Sequence, residues 1–103
     1  MRLLRVEGSL QRHKKLRAVF DLGDGRRVET VNFGGRGCGD YIKYSALGPP
    51  GLAQAKRRAY IARHGATENW RDPMAPATLA RYLLWERPTL LGAVLAYHKR
   101  FKI

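Results

Sequence analysis

Gly48-Pro49-Pro50-Gly51 divides this chain into two halves that cannot fold alike. Two prolines lack the N–H a ladder or a helix needs, and their glycine neighbours favour turns, so regular structure stops there. Before the break, apolar residues recur at every second position. Leu4 and Val6 alternate with Arg5 and Glu7, and Leu16, Ala18, Phe20 and Leu22 share one side of the run Lys14 to Leu22. Period two is the mark of half-buried strands. Gly23-Asp24-Gly25 supplies residues that tolerate positive φ, and Val28, Val31 and Phe33 follow in a β-prone segment, which together predict a hairpin. Gly34-Gly35-Arg36-Gly37-Cys38-Gly39 ends the third strand, because four glycines in six positions cost too much backbone entropy for regular structure. Asp40-Tyr41-Ile42-Lys43-Tyr44 is expected as a short fourth strand, closing a β half over about 2–44.

After the break the period lengthens. Leu52, Ala55, Ala59 and Ala62 form a stripe ending near Gly65, which predicts a first helix over 51–64. Pro76 suits a first helical turn and opens a second over 76–86, with Leu79, Tyr82 and Leu83 inward. Pro88 does the same for a third over 88–101, where Leu90, Val94, Tyr97 and Phe101 recur at four, three and four. Strands first and helices later predict an α+β fold, a three- to four-stranded antiparallel meander followed by three helices. A length of 103 residues suits one domain spanning 1–103.

Charge narrows the partner. Twenty Lys and Arg face eight Asp and Glu, a formal +12, and fourteen of the twenty are Arg. Guanidinium is planar, always charged and weakly hydrated, so it suits bidentate contact with phosphate. The excess is +5 up to Ser45 and +7 after it, so no detachable tail accounts for it. A sequence pI near 10.7 is the electrostatic footprint of a nucleic-acid binder.

Cys38 stands alone, which excludes an intrachain disulfide and a cysteine-based zinc cluster. No apolar stretch approaches the twenty or so residues of a membrane span, and the amino terminus lacks a signal-peptide pattern. A reducing intracellular site is expected, in nucleus or cytoplasm or packed inside a particle.

The contacting residues are expected on the first helix and the hairpin. Lys56, Arg57, Arg58 and Arg63 form a cationic ridge with Tyr60, whose ring is placed to stack on a base or sugar, and the alanine stripe lies opposite. Arg36 in the glycine cluster and Arg17, Arg26 and Arg27 at the hairpin extend the track, the last three converging at one end or face of the sheet. The glycine cluster resembles a phosphate-cradling loop, but it lacks the Gly-Lys-Ser or Gly-Lys-Thr ending and an immediate helix. His64, Glu68 and Asp72 are chemically able to bind metal or move protons, yet they fit helix-capping roles better. No catalytic set, metal or cofactor is expected.

The second half also resembles a family of short proteins of unknown function encoded by large nucleocytoplasmic DNA viruses of algae and protists. The likeness runs from about Phe33 to Phe101. It rests on Gly39-Asp40-Tyr41, Tyr60-Ile61-x-Arg63-His64, Glu68-Asn69-Trp70-x-Asp72-Pro73, and Arg81-Tyr82-x-Leu84-Trp85 followed by Pro88-Thr89-Leu90. The resemblance implies a viral origin and a β-then-α organisation; it implies no activity. Ala46-Leu47-Gly48-Pro49-Pro50 departs from it, since relatives tend to carry a shorter polar segment there. The expected function is non-enzymatic binding of DNA or RNA through phosphates with little sequence specificity. The alternative is a minor virion or assembly protein docking on acidic protein partners.

Overall fold

The computed structural model describes residues 1–24 and 27–103. Three antiparallel strands, β1 (Arg2–Gly8), β2 (Lys14–Asp21) and β3 (Val28–Gly35), pair in the order β1-β2-β3. Four helices follow: α1 (Tyr41–Leu47), α2 (Leu52–Gly65), α3 (Pro76–Leu84) and α4 (Leu90–Phe101). The α+β class and the meander follow the alternating pattern that announced them.

Register decides which side chains reach the core. Leu3 pairs with Phe20, Val6 with Ala18, and Leu16 with Phe33, so these share the face that meets the helices. A register shift between Leu3 and Arg5 puts Leu4 out of step. The expected alternation was Leu4 with Val6; instead Leu3 is buried and Leu4 is 42% exposed. The bulge adds one residue to the edge strand and thereby exchanges the two leucines.

The fourth strand does not form. Asp40, 5% exposed, accepts a hydrogen bond from the Lys43 amide at 2.8 Å and so caps α1, which replaces it. A carboxylate that satisfies a free first-turn amide favours the helix over an extended path. Tyr41 and Tyr44, three apart, then both lie toward α2.

Phe20, Phe33, Leu79, Leu83 and Tyr97 are all but inaccessible to solvent, and one cluster joins them to Leu3, Tyr60 and Trp85. Sheet and helices therefore share a single core. Tyr97 brings its hydroxyl into that core and donates it to the Pro73 carbonyl at 2.5 Å, avoiding an unpaired buried donor. Pro76 stands in the first turn of α3 as expected, whereas α4 begins later than Pro88: Thr89 is its cap, accepting from the Gly92 amide at 3.1 Å.

Candidate nucleic-acid interface

The helix α2 inverts the expected face. Ala55, Ala59 and Ala62 are exposed, while Ala53 and Tyr60 are buried and Arg57, Ile61 and His64 lie at the margin. An aromatic ring buries far more apolar area than a methyl group, so Tyr60 rather than the alanine stripe turns inward. At 7% exposure Tyr60 offers no open ring to a base. It stacks on Trp85 at 4.5 Å and 11°, and on His64 at 4.2 Å and 23°. Burial, with a smaller effect of Glu68, raises its hydroxyl pKa to about 12.

The arginines of α2 part company for the same reason. Arg57 donates from Nε to the Trp85 carbonyl at 2.8 Å and from Nη2 to Glu86 at 3.0 Å, with its guanidinium 5.8 Å from the Tyr41 ring centre. Glu86 also holds Arg81 at 3.1 Å, and the side chains of Arg81 and Glu86 are 10% and 11% exposed. Arg57 is thus a clamp between α2 and the end of α3, not a phosphate ligand. Lys56 lies 5.8 Å from the Tyr44 ring centre and is exposed. At 100° per residue Arg63 shares its flank, seven residues and about 10 Å along the axis, whereas Arg58 lies on the other flank. The five expected α2 positions therefore do not make one ridge.

The hairpin arginines separate as well. In an antiparallel pair the start of β2 meets the end of β3: Lys14 pairs with Gly35, and Asp21 with Val28. The β2–β3 turn is consequently about 23 Å from Lys14, at roughly 3.3 Å per residue, so Arg27 does not converge with the start of β2. Arg27 pairs with Asp24 at 2.8 Å, and Arg26 lies outside the described residues. Arg17 is bound by Glu7, which Arg5 also holds; the two guanidiniums keep that carboxyl below its ordinary pKa. Arg36 is exposed, and its amide donates to the His13 carbonyl at 3.0 Å, which fixes the glycine turn beside the β1–β2 loop.

One concave site brings cations of the sheet and of α2 together. A cavity of about 480 Å³ opens between the end of the β2–β3 ladder, the glycine turn, the C-terminal end of α2 and the first turns of α3. Lys14 and Lys15 border it on the sheet side and Arg63 and His64 on the helix side, over a floor that includes Ala77, Ala80 and Leu84. Lys15 is committed: it bonds Asp40 and the Cys38 carbonyl, the latter at 2.8 Å, tying the glycine turn to β2. Glu68 is committed too, accepting from Trp70 Nε1 at 3.2 Å with His64 Nδ1 at 3.1 Å. Lys14 and Arg63 carry no acidic partner among the described residues. The groove thus presents at its rim two cations, Lys14 and Arg63, that no acid among the described residues contacts directly.

Gly34 makes the wall possible. Its φ is +77°, a conformation that favours glycine, and a Cβ there would lie 2.8 Å from Leu84 Cδ1 and displace the end of that side chain. Asp72 accepts from the Met74 amide at 2.9 Å and takes no part in the groove. Among the described residues no three His, Cys, Asp or Glu side chains converge as a metal site, and no helix is long and apolar enough to cross a membrane. Lys14 and His64 are groove residues that the expected contact set leaves out. Their signal lay in topology, since antiparallel pairing brings the start of β2 to the glycine turn.

No family model, curated protein or solved structure matches the chain.

Proposed function

We propose that this protein binds nucleic acid through phosphates, without catalysing a reaction, along a track formed by Lys56, Arg63, Lys14 and Arg36. The observation that carries this reading is the division of labour among the cations. Arg17, Arg57, Arg81 and Lys15 are matched to Glu7, Glu86 and Asp40, while Lys14 and Arg63 border one groove with no ion pair of their own among the described residues, its acids Asp40 and Glu68 being engaged by Lys15 and by Trp70 and His64. Uncompensated cations around one concavity attract a polyanion and release its counterions on binding.

Electrophoretic mobility shift on DNA and RNA at a series of salt concentrations tests it. Four phosphate contacts give a slope of roughly −3 for log affinity against log salt on a single strand. Absence of a shift at low salt, or a salt-independent one, removes the reading.

One observation favours a protein partner instead. Leu91 and Leu95, four apart on α4, are 73% and 61% exposed, and Lys99 continues the same row. An acidic protein with an apolar patch would use that strip, and a phosphate polymer would not. Co-purification at fixed stoichiometry that Leu95→Asp abolishes, without any nucleic-acid shift, selects this second reading, in which the chain is a minor structural or assembly component.

A further inference from the structure

The proposed phosphate track says where a backbone runs but not what form of nucleic acid it takes. We infer that the groove receives an unpaired nucleobase, laid against the His64 end of the His64–Tyr60–Trp85 ring column, so that the protein takes single strands in preference to duplexes. This rests on the nucleic-acid reading above and deepens it.

Three features converge on it. Tyr60 contacts His64 on one side and Trp85 on the other, and no direct ring contact joins those two, so the three rings form a column with Tyr60 in the middle. Trp85 is 9% exposed and closes the inner end. His64 is the open end: its side chain is 36% exposed, it borders the groove, and among the described residues Tyr60 is its only ring neighbour. Glu68 lies 3.1 Å from His64 Nδ1 and restricts the imidazole's rotation, while Tyr60 covers one of its faces. A ring that is already stacked on one side and oriented by a carboxylate loses little freedom when a base covers its outer side.

The surroundings suit one base and its flanking phosphates. The cavity of about 480 Å³ falls in the range of sites that enclose a small ligand, roughly 300–1,000 Å³. Ala80 and Leu84 give it an apolar floor, against which a base edge sheds water. Lys14 and Arg63 flank the opening from opposite sides, as a strand entering and leaving the groove requires. A duplex keeps its bases stacked and paired behind an outward-facing backbone, so it reaches the rim cations but not the imidazole unless a base is first unstacked.

Fluorescence anisotropy at fixed salt decides the matter with three probes: a short labelled oligothymidylate, the same strand annealed to its complement, and an abasic strand of equal length. The base-containing strand is expected to bind on the order of tenfold tighter than either of the others. His64→Ala abolishes the difference between base-containing and abasic strands, and His64→Phe, which keeps a stacking ring, restores it. Equal affinity for all three probes, or an equal loss on base-containing and abasic strands in His64→Ala, overturns the inference and leaves the phosphate reading standing. No binding of any probe overturns both.

Discussion

The two ends of α2 carry the same kind of side chain and use it oppositely. Near the start, Arg57 is held by Glu86, by the Trp85 carbonyl and by the Tyr41 ring, and it fastens α1, α2 and the end of α3 together. At the far end Arg63 borders a groove with no acidic partner among the described residues. One arginine contributes to the fold and the other to the surface potential. Net charge therefore overstates the binding footprint, and what separates the two roles is the position of three acids, Glu7, Asp40 and Glu86.

The largest effect lies at the clamped end. Glu86→Ala leaves Arg81 buried without its carboxylate, and stranding a buried cation costs roughly 3–5 kcal/mol. A fall of that size in urea-unfolding free energy is expected. A loss below about 1 kcal/mol would mean that the pair is solvated and the contrast between the ends is one of degree.

Next comes the groove wall. Gly34→Ala takes a left-handed backbone conformation that costs roughly 1–2 kcal/mol, and its methyl group crowds the end of the Leu84 side chain for roughly 1–2 kcal/mol more. Unfolding free energy should drop by about 2–4 kcal/mol, with nucleic-acid affinity falling more than Glu86→Ala lowers it at a temperature where both variants remain folded. Equal losses of affinity would show that groove geometry contributes nothing of its own.

Tyr60 lies between the two ends and gives the comparison a pH signature. Its folded pKa of about 12 exceeds the ordinary value of 10.0, chiefly through burial. The neutral hydroxyl is thus favoured in the folded protein. The associated stability is fully present below pH 10 and is lost as pH rises from 10 through 12. At about 1.4 kcal/mol per pH unit that amounts to roughly 2–3 kcal/mol. Urea melts at pH 8, 10 and 11.5 read the loss, and Tyr60→Phe should remove part of the alkaline dependence while Tyr97, also raised by burial, keeps the remainder. An alkaline limb unchanged in Tyr60→Phe would contradict the buried ring column.

Much of this fold was legible in the sequence because period two and period three to four are imposed by backbone geometry. Leu16, Ala18, Phe20 and Phe33 announced the sheet, and Leu79, Leu83 and Tyr97 announced the helices they now bury. What was illegible depended on partners distant in the chain. The Leu3/Leu4 exchange comes from one bulge, and α1 comes from one carboxylate cap. The face of α2 came out inverted because Tyr60 meets Trp85 and Arg57 meets Glu86, some 25 to 29 residues away, and no local pattern encodes either meeting. Of the proposed track, Lys56, Arg63 and Arg36 stand out in the sequence by charge alone. Lys14 became a groove residue only through strand pairing, and His64 only through the ring column.

The smallest effects test the comparison most directly, because they separate cations of equal charge. Arg57→Ala should destabilise by roughly 1–2 kcal/mol, since a charge-assisted hydrogen bond and a buried carbonyl acceptor lose their donor, while the salt slope of nucleic-acid binding stays unchanged. Arg63→Ala should do the reverse, leaving unfolding within about 0.5 kcal/mol of the parent and flattening the slope by roughly 0.7. Arg58→Ala, on the opposite flank of α2, should change neither, because a lone exposed cation remote from the track holds no phosphate and supports no contact. If Arg58→Ala and Arg63→Ala weaken binding equally, the polyanion sees only total charge. The groove would then have no privileged place on the surface.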